Sequence, residues 1–117
     1  MLAKTRHRWT EILSLFSERN INRPTRLGVF VDEMGTMQDY WIEDGLPLMG
    51  IAVDSRDGRT DVDLMLGEKK SSGDAHLTHS IRDAEKVTIV LGLDPSNDSL
   101  EIRSREGKST VLRFENF

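Results

Sequence analysis

The chain has 117 residues, a net charge of −4 and no cysteine. That length fits a single domain spanning residues 1–117, and the missing thiols exclude disulfides, cysteine nucleophiles and thiolate metal sites. No apolar run approaches the roughly 20 residues of a membrane span, and residues 1–9 lack the apolar stretch of a secretory leader, so a cytoplasmic location is expected.

The charge is unevenly spread. Residues 1–26 carry six basic side chains against two acidic ones, a net +4, and the remainder carries −8. The simplest expectation is a basic helix that complements an acidic sheet domain. The alternative is nucleic-acid contact through Arg6, Arg8, Arg19, Arg23 and Arg26, which the acidic total disfavours.

The first element is a helix. Trp9, Ile12, Leu13 and Phe16 follow the i, i+3, i+4, i+7 template, and Leu15 widens the stripe. Thr5 is the expected N-cap. Arg6, Arg8, Glu11, Ser14 and Glu18 face water, and Pro24 forbids continuation.

Strands and turns follow. Leu27, Val29 and Val31 alternate with Gly28, Phe30 and Asp32, which predicts a strand over residues 25–33 with one buried side. After a turn at Gly35, residues 37–43 read as a second strand. Tyr40 and Trp41 are consecutive there, so one of them is expected to point outward as a partner contact. Asp44-Gly45 reads as a turn and Pro47 as an edge or strand start, ahead of a third strand over 48–53. Asp57-Gly58 is a hairpin signal before a fourth strand over 60–66, where Val62, Leu64 and Leu66 alternate with acids.

Residues 67–75, with two glycines and two serines, read as a mobile loop. Residues 76–82 hold a short strand or turn. Val87, Ile89, Leu91 and Leu93 predict a buried face on a strand over 85–93, and residues 94–98 read as a turn. A closing hairpin, 100–105 and 109–115, folds over Glu106-Gly107. The expected fold is α+β: one N-terminal helix packed on a strongly bent, mostly antiparallel sheet of six to seven strands, partly open and barrel-like.

Two groups of residues invite chemistry. His76 and His79 suit a metal-dependent hydrolase or lyase if Asp74 or Asp83 joins them, since a metal needs converging ligands. On a strand, however, positions three apart face opposite ways. Asp54, Asp57, Asp61 and Asp63 form an acidic group. Asp61 and Asp63 share a strand face, where two carboxylates can serve acid–base work or hold a hard cation, although a solvated strand face is the plainer reading. There is no nucleophile elbow and no phosphate-binding glycine loop.

A set of short motifs carries a resemblance. Trp9 in the helix, Pro47-Leu48-Met49-Gly50-Ile51-Ala52-Val53-Asp54, His79-Ser80-Ile81, Leu100-Glu101-Ile102 and the Glu106-Gly107 turn occur in an order that resembles a family of small bacterial domains of unknown function. Val53 departs from that pattern, where tyrosine is common. The resemblance implies a fold and a bacterial origin, supplies no catalytic residue, and directs attention to Asp54 and His79. Both also have structural readings: Asp54 as an acceptor for turn N–H groups, and His79 as a donor to a strand carbonyl that pins the loop after Gly73.

No catalytic set or cofactor site is expected, and no membrane contact. The leading expectation is a non-enzymatic interaction or regulatory module, bound to an unknown protein partner or self-associated through a strand edge.

Overall fold

The amphipathic segment forms helix α1 (Trp9–Asn20), which buries Trp9, Leu13, Phe16, Ser17 and Asn20. The buried stripe therefore leans away from Leu15, which is exposed, contrary to the wider stripe expected. The helix ends where Asn22 takes a positive φ of 65°, a left-handed conformation that asparagine tolerates, two residues before Pro24. Thr5 lies outside the described residues. The computed structural model describes the backbone of residues 8–33, 36–70, 73–93 and 97–114, and their side chains apart from 32–44 and 68–75. No described helix is long and apolar enough to cross a membrane.

Seven strands follow: β1 (Pro24–Glu33), β2 (Thr36–Arg56), β3 (Arg59–Lys70), β4 (Gly73–Ile81), β5 (Ala84–Val90), β6 (Ser99–Ser104) and β7 (Lys108–Phe114). They pair in the order β4-β3-β2-β1-β7-β6-β5, and every ladder is antiparallel. The fold is α+β, with the sheet bent but not closed into a barrel.

The bend has two corners. The first is β2, which was expected as two strands separated by a turn at Asp44-Gly45. It is one strand: its first part pairs with β1 and its last part, from Leu48, pairs with β3. Gly45 takes a φ of +113°, and the register slips between Leu48 and Gly50. A flexible residue and a bulge bend a strand without reversing it, so β2 passes from one layer of the sheet to the other.

The second corner follows from strand direction. With all ladders antiparallel, counting outward from β1 in both directions gives β4 and β5 the same sense. The connection Arg82–Asp83 therefore does not reverse the chain as a hairpin does; it carries the chain onward from one layer into the other. Strands that change sheet through bends make the corners of folded sandwiches.

Between the layers lies one core. Leu27, Leu100, Ile102, Leu112 and Val87 come from one layer, and Leu48, Val62, Leu64, Leu66 and Ile81 from the other. Trp9, Leu13 and Phe16 of α1 join the same cluster. Leu64 is fully buried, so truncating it to alanine should cost roughly 2–5 kcal/mol.

Two further expectations are corrected. Within the stretch 67–75, expected as a loop, residues 67–70 extend β3 and residues 73–75 begin β4, with Glu68 paired to Ala75 and Lys69 to Asp74; residues 71 and 72 lie outside the described residues. The predicted strand over 85–93 stops at Val90, and Leu91 and Leu93 are exposed rather than buried. Strand β6 supplies partners only from Ser99 to Ser104, so β5 runs out of ladder before the alternation runs out of leucines. The side chains of Tyr40 and Trp41 lie outside the described residues.

Candidate functional site

At one end of the sandwich the two layers leave a cavity of about 250 Å³. Its apolar floor is Val29 and Ile81, both nearly fully buried. His79 enters it from β4, opposite Thr110 of β7 and Ser104 at the end of β6. Arg82, Glu106 and Lys108 stand at its mouth.

Strand parity explains this placement. Val62 pairs with Ile81, Leu64 with His79 and Leu66 with Leu77, so His79 shares the inward face of β4 with the two apolar residues. Its Nε2 lies 3.4 Å from Thr110 Oγ1, a hydrogen bond across the sandwich. Burial, and then the positive charge of Lys108, push the imidazole pKa below its ordinary value. The ring is therefore neutral at pH 7. Its partner is a side chain of β7, not a strand carbonyl, and it pins no loop after Gly73.

His76 is exposed and occupies the opposite parity on β4. The strand thus separates the two histidines, and among the described residues no group of three or more histidine and carboxylate side chains converges as a metal would require. The side chain of Asp74 lies outside the described residues.

Asp54 is on an exposed stretch of β2 near the β2–β3 turn, and does not line the cavity. Its carboxylate accepts hydrogen bonds from the Arg56 guanidinium rather than from turn N–H groups. The turn itself is as the sequence implied, with Asp57 at φ 52° and Gly58 at φ 74°. Two central residues at positive φ are what a tight hairpin requires.

Across the ladder from Asp54 stands Asp61. Two carboxylates directly opposed repel, and arginines flank both. Asp61 Oδ2 lies 3.3 Å from Arg59 and 3.6 Å from Arg82. Its Oδ1 accepts the Asp83 backbone N–H at 2.9 Å. That bond, which outweighs burial, and the nearby arginines hold the Asp61 carboxyl below the usual range. Asp54 and Asp61 of the acidic group are thus ion-paired, and Asp61 fastens the second corner of the sheet.

The N-terminal arginines are also partly committed. Arg19 donates to Asp98 Oδ2 at 2.7 Å and to the Gly92 carbonyl at 3.0 Å. Arg23 lies 4.9 Å above the Phe114 ring and donates to Asn20. Of the helix's basic residues, Arg19 is thus ion-paired within the molecule, to Asp98.

Asp98 is the residue the sequence reading missed. Its side chain is fully buried. It accepts from Arg19, from Asn20 Nδ2 at 3.0 Å and from the Gly92 N–H at 3.0 Å. Burial alone would raise its pKa; the bonds from Asn20, Gly92 and Arg19 together outweigh burial and lower it. Asn20 uses its second amide hydrogen on the Phe16 carbonyl, also at 3.0 Å. Gly92 is consequently gripped at both its N–H and its C=O, while Leu91 and Leu93 beside it are 59% and 108% exposed. The available signal was length: a strand of nine residues cannot find nine partners on a neighbour of six.

The fold is thus a small α+β domain that carries two local features, a cavity beneath His79 and a clamped segment at Gly92 flanked by outward leucines. Compared with known proteins, the chain matches no family model, no curated protein and no solved structure. The resemblance to small bacterial domains therefore stands on its ordered motifs alone.

Proposed function

We propose that this chain is a non-enzymatic interaction module that associates with a second copy of itself through the edge of β5 and the loop that follows it. The single observation carrying this reading is the Gly92 clamp. A buried carboxylate, a buried asparagine and an arginine are spent on fixing a loop whose two leucines face solvent. Burying an ionised group is costly unless fully bonded, and a fixed loop loses little further freedom on association.

The edge supports the same surface. Among the described residues β5 pairs with β6 alone, and an unpaired ladder is a template for another strand. Its start is blunted by a register shift between Ala84 and Lys86. Its end is open and runs from Thr88 through exposed Val90 into Leu91. Leu15, exposed and one helical turn before Arg19 on the same helix face, adds apolar surface beside the arginine of the clamp. The opposite edge, β4, presents polar His76, Thr78 and Ser80 outward and offers no such patch among its described side chains. Antiparallel pairing of β5 with its own copy gives a two-fold contact that closes at the dimer.

Sedimentation velocity over a concentration series tests this. A reversible dimer is expected, and the double variant Leu91→Ser with Leu93→Ser should raise its dissociation constant at least tenfold while leaving the far-ultraviolet spectrum unchanged. A strict monomer up to the solubility limit, or a dimer indifferent to both substitutions, overturns the reading.

A further inference from the structure

The cavity beneath His79 belongs to a different part of the molecule from β5's open end. We infer that it binds a small organic monocarboxylate, with the carboxylate between Lys108 and Arg82 and a short apolar tail on Val29 and Ile81.

Four observations converge on that chemistry. The floor is hydrocarbon, and the volume of about 250 Å³ lies just below the usual range for small-molecule sites. The mouth holds two cations against one acid, Glu106, and so favours one negative charge over two. Both cations are only loosely held: Lys108 lies 3.7 Å from Glu106, and Arg82 lies 3.6 Å from Asp61. All but Asp61 among these four side chains are more than half exposed. Such exposed pairs contribute about 0–1 kcal/mol, so a ligand carboxylate displaces them at small cost.

The wall supplies neutral donors. Ser104 Oγ accepts the Lys108 backbone N–H at 3.3 Å, which leaves its own hydrogen to donate inward. The His79–Thr110 bond at 3.4 Å is long for a hydrogen bond and yields readily to a better acceptor. The charged groups facing His79 around the cavity are Lys108 and Glu106 from the β6–β7 turn region and Arg82 from the β4 end. Burial, and after it the positive potential of Lys108, disfavour a charged imidazole. A carboxylate arriving beside Lys108 offsets that potential and raises the His79 pKa, so the ring reports on occupancy.

Isobutyrate is the probe, followed by proton and nitrogen NMR on the intact chain. Isobutyramide tests the need for charge, and inorganic phosphate the need for a tail. Saturable shifts at His79, Ser104 and Thr110 are expected with isobutyrate in the low-millimolar range, together with an upward move of the His79 titration midpoint. Lys108→Ala should weaken binding at least fivefold, and Glu106→Gln should tighten it about twofold by removing the competing acid. Both positions are exposed, so both variants should fold, which the unbound spectra verify. Equal binding of the amide or of phosphate, shifts that do not saturate, or indifference to Lys108→Ala overturns the inference. None of these outcomes depends on whether the chain dimerises through β5.

Discussion

Asp61 and Asp98 perform the same task at two ends of the molecule, and the difference between them is burial and reach. Each accepts the backbone N–H of a segment leaving one strand for another, Asp83 for Asp61 and Gly92 for Asp98. Each also takes an arginine. Asp61 keeps 14% of its side chain in contact with solvent and shares its charge with Arg59 and Arg82. Asp98 has no side-chain exposure, and it draws its arginine and its asparagine from α1, 79 and 78 residues away in the chain. A carboxylate near water can be partly replaced by water. One sealed beneath a helix cannot.

The largest expected effect therefore belongs to Asp98→Ala, which strands the buried donor of Asn20 and the half-buried one of Gly92 and releases α1 from the segment after β5. Chemical denaturation should show a loss of about 3 kcal/mol. Asp98→Asn sharpens the point, because it keeps the shape and reverses part of the hydrogen-bond polarity. Its loss should approach that of alanine, whereas a neutral result would mean that shape alone matters. Asp61→Ala comes next, at about 1 kcal/mol, because its arginines are solvated without it. Equal losses for the two alanine variants would break the comparison.

Acid should expose the same ranking. Both folded carboxyls have lowered pKa values, so between the folded and unfolded pKa the unfolded chain binds more protons, and stability falls as pH falls. The loss begins near the unfolded aspartate value of about 4 and deepens toward the folded values. Unfolding free energy measured against pH should show this limb flattened in the Asp98→Ala variant. His79 adds a separate, smaller slope. Its folded pKa is lowered, so the unfolded state again takes up the proton first, and stability declines as pH drops below about 6.5. His79→Gln should remove that upper slope and leave the carboxylate limb in place. The smallest effect is expected from Leu93→Ser, within about 0.5 kcal/mol for the isolated chain, since its side chain has no core contact to lose.

Much of the fold was legible because one buried face writes itself into alternate residues. Leu27 with Val29, Val62 with Leu64 and Leu66, and Leu100 with Ile102 are buried as their parity implies. The stretch 67–75 was not legible, because backbone pairing of Lys69 with Asp74 needs no apolar side chain to hold it. Asp44-Gly45 misled because a glycine at positive φ serves a bend as well as a reversal. For the site, ordered motifs pointed to His79. Nothing local pointed to Thr110 or Lys108, which meet His79 only once the sheet has folded over. Asp98 looked like an ordinary turn residue, since its partners lie on the opening helix.

The two bent corners also bear on how the molecule assembles. Strands β2, β3 and β4 pair with their immediate neighbours in sequence and can pair as soon as they are made, whereas the β1–β7 ladder must find partners across most of the chain. Pairings between distant segments carry the larger closure entropy and form slowly. Pulse-labelled amides of β3 should accordingly become protected before those of β7, leaving β1 and β7 to be zipped together last.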